Sequence, residues 1–289
     1  MNGFLLIDKP AGITSQGVVQ EIKRKLNLKK CGHTGTLDPD ATGLLVVACD
    51  EATKAIRLLT EEFKEYQTTI VFGLNSNTLD VYGTITEEVP MSFSLEKLDE
   101  VLEELKNQTL QYPPMVSAIK VAGKKLYEYE REHKSVDILP RSVKILEIKR
   151  LTPLKLVDGH LSVDVSITCS KGFYVRSFAR DLGQALEGCA ILKDLRRIRS
   201  GRFDLKDANP LNKVEESQII PIDEILPFQK LEVNAFVLKL VQNGVILDER
   251  QIQTEEPFYI TYQNKIVALY EVCSKNKYKP VIIFQGKEG

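Results

Sequence analysis

No run of apolar residues in this 289-residue chain approaches the roughly 20 that a membrane-spanning helix needs, so a helical membrane protein is not expected. Residues 1–8 are apolar but short, lack a basic start and run into Asp8 and Lys9. That argues against a secretory signal and makes the cytoplasm the expected location. Cysteine is sparse, with five residues (Cys31, Cys49, Cys169, Cys189 and Cys273), an odd number containing no Cys-x-x-Cys pair. Such usage speaks against a disulfide framework and against a zinc site. The three histidines, His33, His133 and His160, lie far apart, so no metal is expected, and Cys31-x-His33 alone reads as coincidence. The chain carries neither a P-loop nor a dinucleotide fingerprint, so no nucleotide cofactor is expected. Internal repeats and low-complexity tracts are also missing.

What is present is an ordinary globular composition, 43% apolar and 27% charged, in a chain long enough for one large domain and a small one. The net charge of −1 hides an uneven distribution. Basic residues gather at Lys23, Arg24, Lys25, Lys29 and Lys30, at Lys120, Lys124 and Lys125, and at Arg196, Arg197, Arg199 and Arg202, while acids gather in residues 96–104. Basic patches steer polyanions even when the total cancels. Any single cluster, taken alone, reads as a solvated face.

Residues 32–43 read Gly-His-Thr-Gly-Thr-Leu-Asp-Pro-Asp-Ala-Thr-Gly. Pro39 biases Asp38 away from the helical region, and Gly32, Gly35 and Gly43 permit tight turns or close approach. The expectation is a shaped loop presenting one carboxylate, docked on a buried strand over residues 44–48. Asp-Pro with a later glycine is also common turn chemistry, so the loop alone does not separate a site from a turn.

Along the chain, residues 5–8 predict a strand, and Thr14 or Ser15 caps a helix burying Val18, Val19, Ile22 and Leu26. Thr53 caps a short helix through Leu59. Residues 64–73 alternate as a strand, with Tyr66, Thr68, Ile70 and Phe72 on one face and residues 83–89 as hairpin partner. Ser94 caps an amphipathic helix carrying Leu95, Leu98, Val101, Leu102 and Leu105. Residues 142–151 and 161–169 predict strands, the latter with the cleanest alternation in the chain. A helix through Leu186 follows, with Arg176 and Arg180 on one face. The fold class is therefore α+β. A boundary is expected near residues 221–227, followed by a small β-rich unit with strands at 258–261, 266–270 and 280–284 and an Asn243-Gly244 turn.

Five motifs occur in order. They are Leu6-Ile7-Asp8-Lys9-Pro10-Ala11-Gly12-Ile13-Thr14-Ser15; the 32–43 loop with Glu51-Ala52-Thr53-Lys54; Lys64-Glu65-Tyr66 with Asn77-Thr78-Leu79-Asp80 and Gly83; Pro113-Pro114-Met115-Val116-Ser117-Ala118-Ile119-Lys120; and Cys169-Ser170-Lys171-Gly172-Phe173-Tyr174-Val175-Arg176 with Leu195-Arg196-Arg197. Together, over residues 3–202, the chain resembles the TruB family of bacterial tRNA pseudouridine-55 synthases. Two positions depart from the pattern: Asn77 stands where an acid is expected, and His133 where a glycine is expected nearby. Neither touches Asp38.

The resemblance implies a mixed, largely antiparallel sheet with flanking helices over residues 1–228, and a PUA-like RNA-binding domain over 229–289. It implies conversion of a T-loop uridine of tRNA to pseudouridine, with no cofactor, no metal and no obligate protein partner, by a monomer. It places Asp38 as nucleophile or charge stabiliser at the sugar–base bond, Arg176 as its partner, and Tyr66 as a stacking and proton-handling aromatic. It assigns substrate contacts to His33, Gly35, Thr36, Lys54, Asp80, Lys120, Tyr174, Leu195 and Arg196, with Lys124 as a further phosphate contact. Without it, Tyr66 reads as a core aromatic on a strand face. Rival readings are a guide-RNA-dependent synthase of the same superfamily, a non-catalytic tRNA-binding or folding protein, and a carbohydrate-active hydrolase with Asp80 or Asp181 as second carboxylate.

Overall fold

The computed structural model describes residues 2–59, 63–117, 119–121, 123–132 and 136–284. The unbroken apolar runs near residues 5 and 45 come from two strands buried on both faces. Gly3–Lys9 and Thr42–Cys49 pair antiparallel from Gly3–Cys49 to Lys9–Gly43. Phe4, Leu6, Leu44, Val46 and Ala48 point to one side, and Leu5, Ile7, Leu45, Val47 and Cys49 to the other. Strands covered on both faces have no polar face to alternate with. The helix Ser15–Lys25 covers the second side through Val18, Val19 and Ile22. Thr14 caps it by accepting from the Gly17 N–H, which leaves Ser15 free for another task.

The main sheet runs Ile145–Arg150, His160–Cys169, Lys64–Phe72, Ala190–Ser200, Thr42–Cys49, Gly3–Lys9 and Asn209–Pro210. Its pairings are antiparallel except where Ala190–Ser200 meets Thr42–Cys49 and where Gly3–Lys9 meets Asn209–Pro210. The helices Leu95–Leu105 and Val175–Ala185 seal one face, burying Leu98, Val101, Phe178, Ala179 and Leu182 against Ile70, Phe72, Val163 and Val165. The α+β class and the mixed, largely antiparallel sheet with flanking helices are as expected.

Several local expectations are corrected. The strand Ala190–Ser200, which pairs with Lys64–Phe72 over most of its length, was not foreseen. Its charges at Lys193, Asp194, Arg196, Arg197 and Arg199 mask the pattern. Ile85–Glu88 does not pair with Lys64–Phe72 but with Leu74–Ser76, in a separate two-stranded sheet. The helical segment near residue 53 is a 3-10 helix starting at Asp50, and the Thr53 hydroxyl donates back to the Asp50 carbonyl. Asn243-Gly244 does form the expected turn. It ends an unforeseen helix, Ala235–Gln242, with Gly244 at φ +69°.

The C-terminal residues form the expected small β-rich unit, a five-stranded sheet in the order Gln229–Glu232, Phe258–Tyr262, Lys265–Ser274, Lys277–Ile283, Leu247–Asp248. One face keeps its own core of Val237, Val241, Phe258, Ile260 and Tyr270. The other sends Tyr259, Leu269 and Ile282 into the cluster with Phe4, Leu44 and Ile222. The Tyr259 hydroxyl donates to the carbonyls of Ile222 and Leu226, and Arg57 pairs with Glu271 at 2.8 Å. No described helix is long and apolar enough to cross a membrane.

Candidate active site

The loop between Cys31–His33 and Thr42–Cys49 makes few backbone ladder bonds of its own, so its carbonyls must find partners elsewhere. Three side chains supply them. Lys9, fully buried at the end of its strand, donates to the carbonyls of Pro39 (2.7 Å), Ala41 (2.7 Å) and Pro10 (2.8 Å). Ser15 both donates to the Leu37 carbonyl (2.9 Å) and accepts from the Leu37 N–H (2.8 Å). Arg197, 1% exposed, donates through Nε to Leu44 O (2.7 Å) and through Nη2 to Gly35 O (3.0 Å). Burial lowers Lys9 to about 8, against the attraction of Asp40 and Asp38. At neutral pH its ammonium therefore keeps its charge and all three donors.

Gly43 shows why one loop glycine is needed. Its φ is +98°, and a Cβ there would sit 2.3 Å from the Arg197 carbonyl, where the two strands meet in parallel. Gly32 and Gly35 do not take positive φ. Two register shifts in Ala190–Ser200, at Leu192/Asp194 and Arg197/Arg199, bracket the segment that carries Leu195 and Arg197. Bulges re-aim side chains in this way beside functional sites.

Held like this, Asp38 meets Arg176 from the first turn of the helix Val175–Ala185. The Arg176 Nε lies 2.9 Å from Asp38 Oδ2, and Nη2 donates to Oδ1 at 3.1 Å. The same guanidinium donates to the carbonyls of Thr78 and Val116, both at 3.0 Å, and stands 3.8 Å from Asp80 Oδ2. The Arg176 side chain is 6% exposed, whereas that of Asp38 is 43% exposed. The cation is thus a buried anchor, and the carboxylate it orients is open to a ligand. Asp80 is itself fixed by the Thr78 hydroxyl (2.6 Å) and the Tyr82 N–H (3.1 Å). The helix start is secured by Gln111, whose Oε1 accepts from the Tyr174 N–H at 2.8 Å.

Two adjoining clefts, of about 190 and 380 Å³, share Asp38, Arg176 and Leu195. Gly35, Thr36, Tyr66, Phe173, Tyr174 and Arg197 line the larger, and Asp80, Tyr82 and Leu192 the smaller. Tyr66 stands opposite Arg197 in register, beside that guanidinium's positive charge. Burial raises the Tyr66 phenol above its ordinary value, so it remains an O–H at neutral pH. Burial raises Tyr174 as well. His33 lines neither cleft. Burial and the nearby Arg197 charge hold its imidazole below the ordinary value, and Nδ1 is buried without a protein partner.

The remaining expected contacts lie outside the clefts. Arg196 turns to the opposite side of its strand and pairs with Asp8 at 2.8 Å. Lys54 pairs with Glu51, and Lys124 with Glu132 at 2.9 Å. Lys120 begins a short strand, Lys120–Val121, but its side chain, like Ala118 and His133, lies outside the described residues. Of the basic cluster at 196–202, Arg197 is interior and Arg202 bonds the Ile225 carbonyl at 2.6 Å. Sequence reasoning missed the loop-holding roles of Lys9, Ser15 and Arg197. A signal existed for Lys9: it continues the Leu5–Ile7 parity of a strand buried on both faces. Among the described residues no three His, Cys, Asp or Glu side chains cluster as metal ligands.

The fold is that of pseudouridine synthases. A structure of an H/ACA RNP bound to a substrate RNA containing 2′-deoxyuridine superposes with a TM-score of 0.65 at 23% identity, covering 99% of this chain and 86% of that one. The TruB family pseudouridylate synthase N-terminal domain matches residues 23–175. The tRNA pseudouridine synthase B of Aster yellows witches'-broom phytoplasma (strain AYWB) is 39% identical over 290 residues, covering 98% of this chain and all of that protein. That of Acholeplasma laidlawii (strain PG-8A) is 39% identical over 288 residues with the same coverage. The chain belongs to the TruB family of pseudouridylate synthases.

Proposed function

We propose that this protein converts a T-loop uridine of tRNA to pseudouridine, and that Asp38, Arg176 and Tyr66 carry the reaction. The observation behind the residue assignment is the exposed Asp38 carboxylate held at both oxygens by a buried guanidinium, in a cleft shared with Tyr66. The full-length likeness to tRNA pseudouridine synthase B relatives supports tRNA as substrate.

In this reading the target nucleotide leaves its stack at a cost of about a few kcal/mol and enters the cleft. The bond from the ribose C1′ to N1 of the base breaks, the base rotates, and C1′ bonds to C5. Asp38 supplies the anionic oxygen that attacks or stabilises the sugar–base junction, as carboxylates do in glycoside chemistry. Arg176 fixes both oxygens and so sets the angle of approach. Tyr66 lies under the base plane, and its retained O–H assists the proton transfer from C5 as the ring regains aromaticity. Leu195 forms the apolar wall, and Gly35, Thr36, Asp80 and Tyr174 complete the pocket. The reaction rearranges bonds without net oxidation, so it calls for no redox cofactor.

His33 fills the space that the extruded base leaves or braces the loop. Lys54, Lys120, Lys124 and Arg196 meet phosphates, with affinity falling as salt rises. Residues 1–228 form the catalytic domain and 229–289 a PUA-like RNA-contacting domain. The enzyme works in the cytoplasm as a monomer without an obligate partner protein or a guide RNA. The experiment is pseudouridine mapping on a bare T-arm transcript treated with purified protein, with Asp38→Asn alongside. Product from the unmutated protein alone, with tRNA binding retained in the variant, is expected. Binding without product from both proteins would favour a non-catalytic RNA-binding role.

A further inference from the structure

Cys31 and Cys49 face each other at the base of the loop that carries Asp38. The strand Cys31–His33 runs antiparallel to Thr42–Cys49, with Cys31 directly opposite Cys49. The Asp50 N–H donates to Lys30 O at 2.8 Å, and the Thr34 N–H to Val46 O at 3.0 Å. Counting inward from those two bonded pairs, Cys31–Cys49 occupies a non-hydrogen-bonded position. Opposed Cα atoms there approach to about 4.5 Å, inside the span a disulfide bridges without backbone movement. Both side chains lie on the face covered by the helix Ser15–Lys25, where Cys49 is buried with Leu5 and Val47 and Cys31 packs against them, partly exposed. Cys169, by contrast, stands opposite Lys64 and Ile145.

We propose that Cys31 and Cys49 form a reversible dithiol–disulfide site that is oxidised by hydroperoxides and closes a covalent clip across the base of the Asp38 loop. Cys31 is the accessible partner, and the facing Cys49 thiol together with the Lys23 charge favours its thiolate. Its sulfur attacks one peroxide oxygen, the O–O bond breaks, and hydroxide leaves as water, giving a sulfenic acid. The Cys49 sulfur then attacks the Cys31 sulfur, the S–O bond breaks, and the second oxygen leaves as water with the Cys49 proton. Two thiols and one hydrogen peroxide become one disulfide and two waters, with two electrons passing from sulfur to oxygen. The flanking ladder is already in register, so the clip forms without displacing Asp38.

The test is independent of the catalytic assignment. Full-length protein is treated with an equimolar amount of hydrogen peroxide, and thiols are titrated in denaturant. Free thiols are expected to fall from five to three, that is five minus the bonded pair. Peptide mapping should place the link between Cys31 and Cys49, and dithiothreitol should restore all five thiols. Because the clip closes a short loop, the oxidised protein should melt roughly 5 °C higher than the reduced one. Cys49 is buried, so Cys31→Ser is the variant of choice: it should keep basal activity, gain no melting shift from peroxide and form no internal link. Recovery of Cys31 as sulfinic acid with Cys49 still a free thiol, or oxidation confined to Cys189 and Cys273, would overturn the proposal.

Discussion

Arg176 holds Asp38 by both carboxylate oxygens, at 2.9 and 3.1 Å, while donating to the carbonyls of Thr78 and Val116 as well. This geometry needs a planar fork, which an ammonium cannot copy. Arg176→Lys keeps the charge but loses the angle. Turnover at saturating tRNA is expected to fall by about 100-fold or more, because misplacing a reacting group by an ångström costs that much. The KM for tRNA should move little, since the guanidinium is buried beneath the carboxylate. Steady-state kinetics on a T-arm transcript check this, and near-wild-type turnover in a folded variant would rule out the positioning role.

Tyr66 combines two properties that one substitution separates. Its ring lines the cleft, and its hydroxyl, held up by burial, keeps its proton. Tyr66→Phe preserves the ring and removes the O–H. If the hydroxyl assists proton transfer, kcat drops by about 10²- to 10⁴-fold while tRNA affinity stays within a few-fold. Unchanged kcat would leave Tyr66 as a stacking surface alone. Loss of affinity without loss of kcat would mean that the hydroxyl serves only the frame.

Lys9 is the least expected member of the site, a buried ammonium whose donors end on the Pro39, Ala41 and Pro10 carbonyls. Lys9→Met fits the stem but strands the buried carbonyls beside Asp38. Each buried acceptor left unpaired costs about 1–3 kcal/mol, so a loss of stability within that range or above it is expected in urea unfolding. Activity should fall further than stability, because the Asp38 loop loses its anchor. Lys9→Arg does not rescue it, since the larger head cannot occupy a fully buried ammonium site.

What was legible in the sequence followed from how each signal arises. The Asp38 loop was visible through Pro39 and Gly43, whose backbone constraints are local, and the His160–Cys169 strand through its alternation. Ala190–Ser200 was hidden because its polar side chains serve specific partners instead of solvent: Arg197 faces inward to the loop while its neighbour Arg196 turns to Asp8. The wrong partner for residues 64–73 has a similar source. Residues 83–89 read as the nearby hairpin partner, yet the strand's true neighbours come from residues 160–169 and 190–200, far along the chain. The Arg176–Asp38 contact spans 138 positions, and no local pattern encodes it. Only the joint presence of the motifs pointed to it. The C-terminal unit was separable by composition, but its shared core was not visible. Deleting residues 229–289 would remove Tyr259, Leu269 and Ile282 from the Phe4 and Leu44 cluster, and so test stability before RNA contact. Surface substitutions in that unit make the cleaner test of tRNA affinity.

His33 gives the site a pH dependence with a defined sign. Burial first, and the Arg197 charge second, hold its folded pKa below the ordinary 6.5. Between 6.5 and that lower value the unfolded chain carries the proton and the native state does not. Stability therefore rises with pH through this window, is fully present above 6.5, and is lost as pH falls through the folded value. His33→Gln removes the titration while keeping a polar side chain of similar reach. Urea midpoints measured on both proteins above and below 6.5 should show the wild type losing more stability on acidification than the variant. Parallel pH dependence in the two would mean that His33 titrates alike in the folded and unfolded states, and that the acid sensitivity arises elsewhere in the chain.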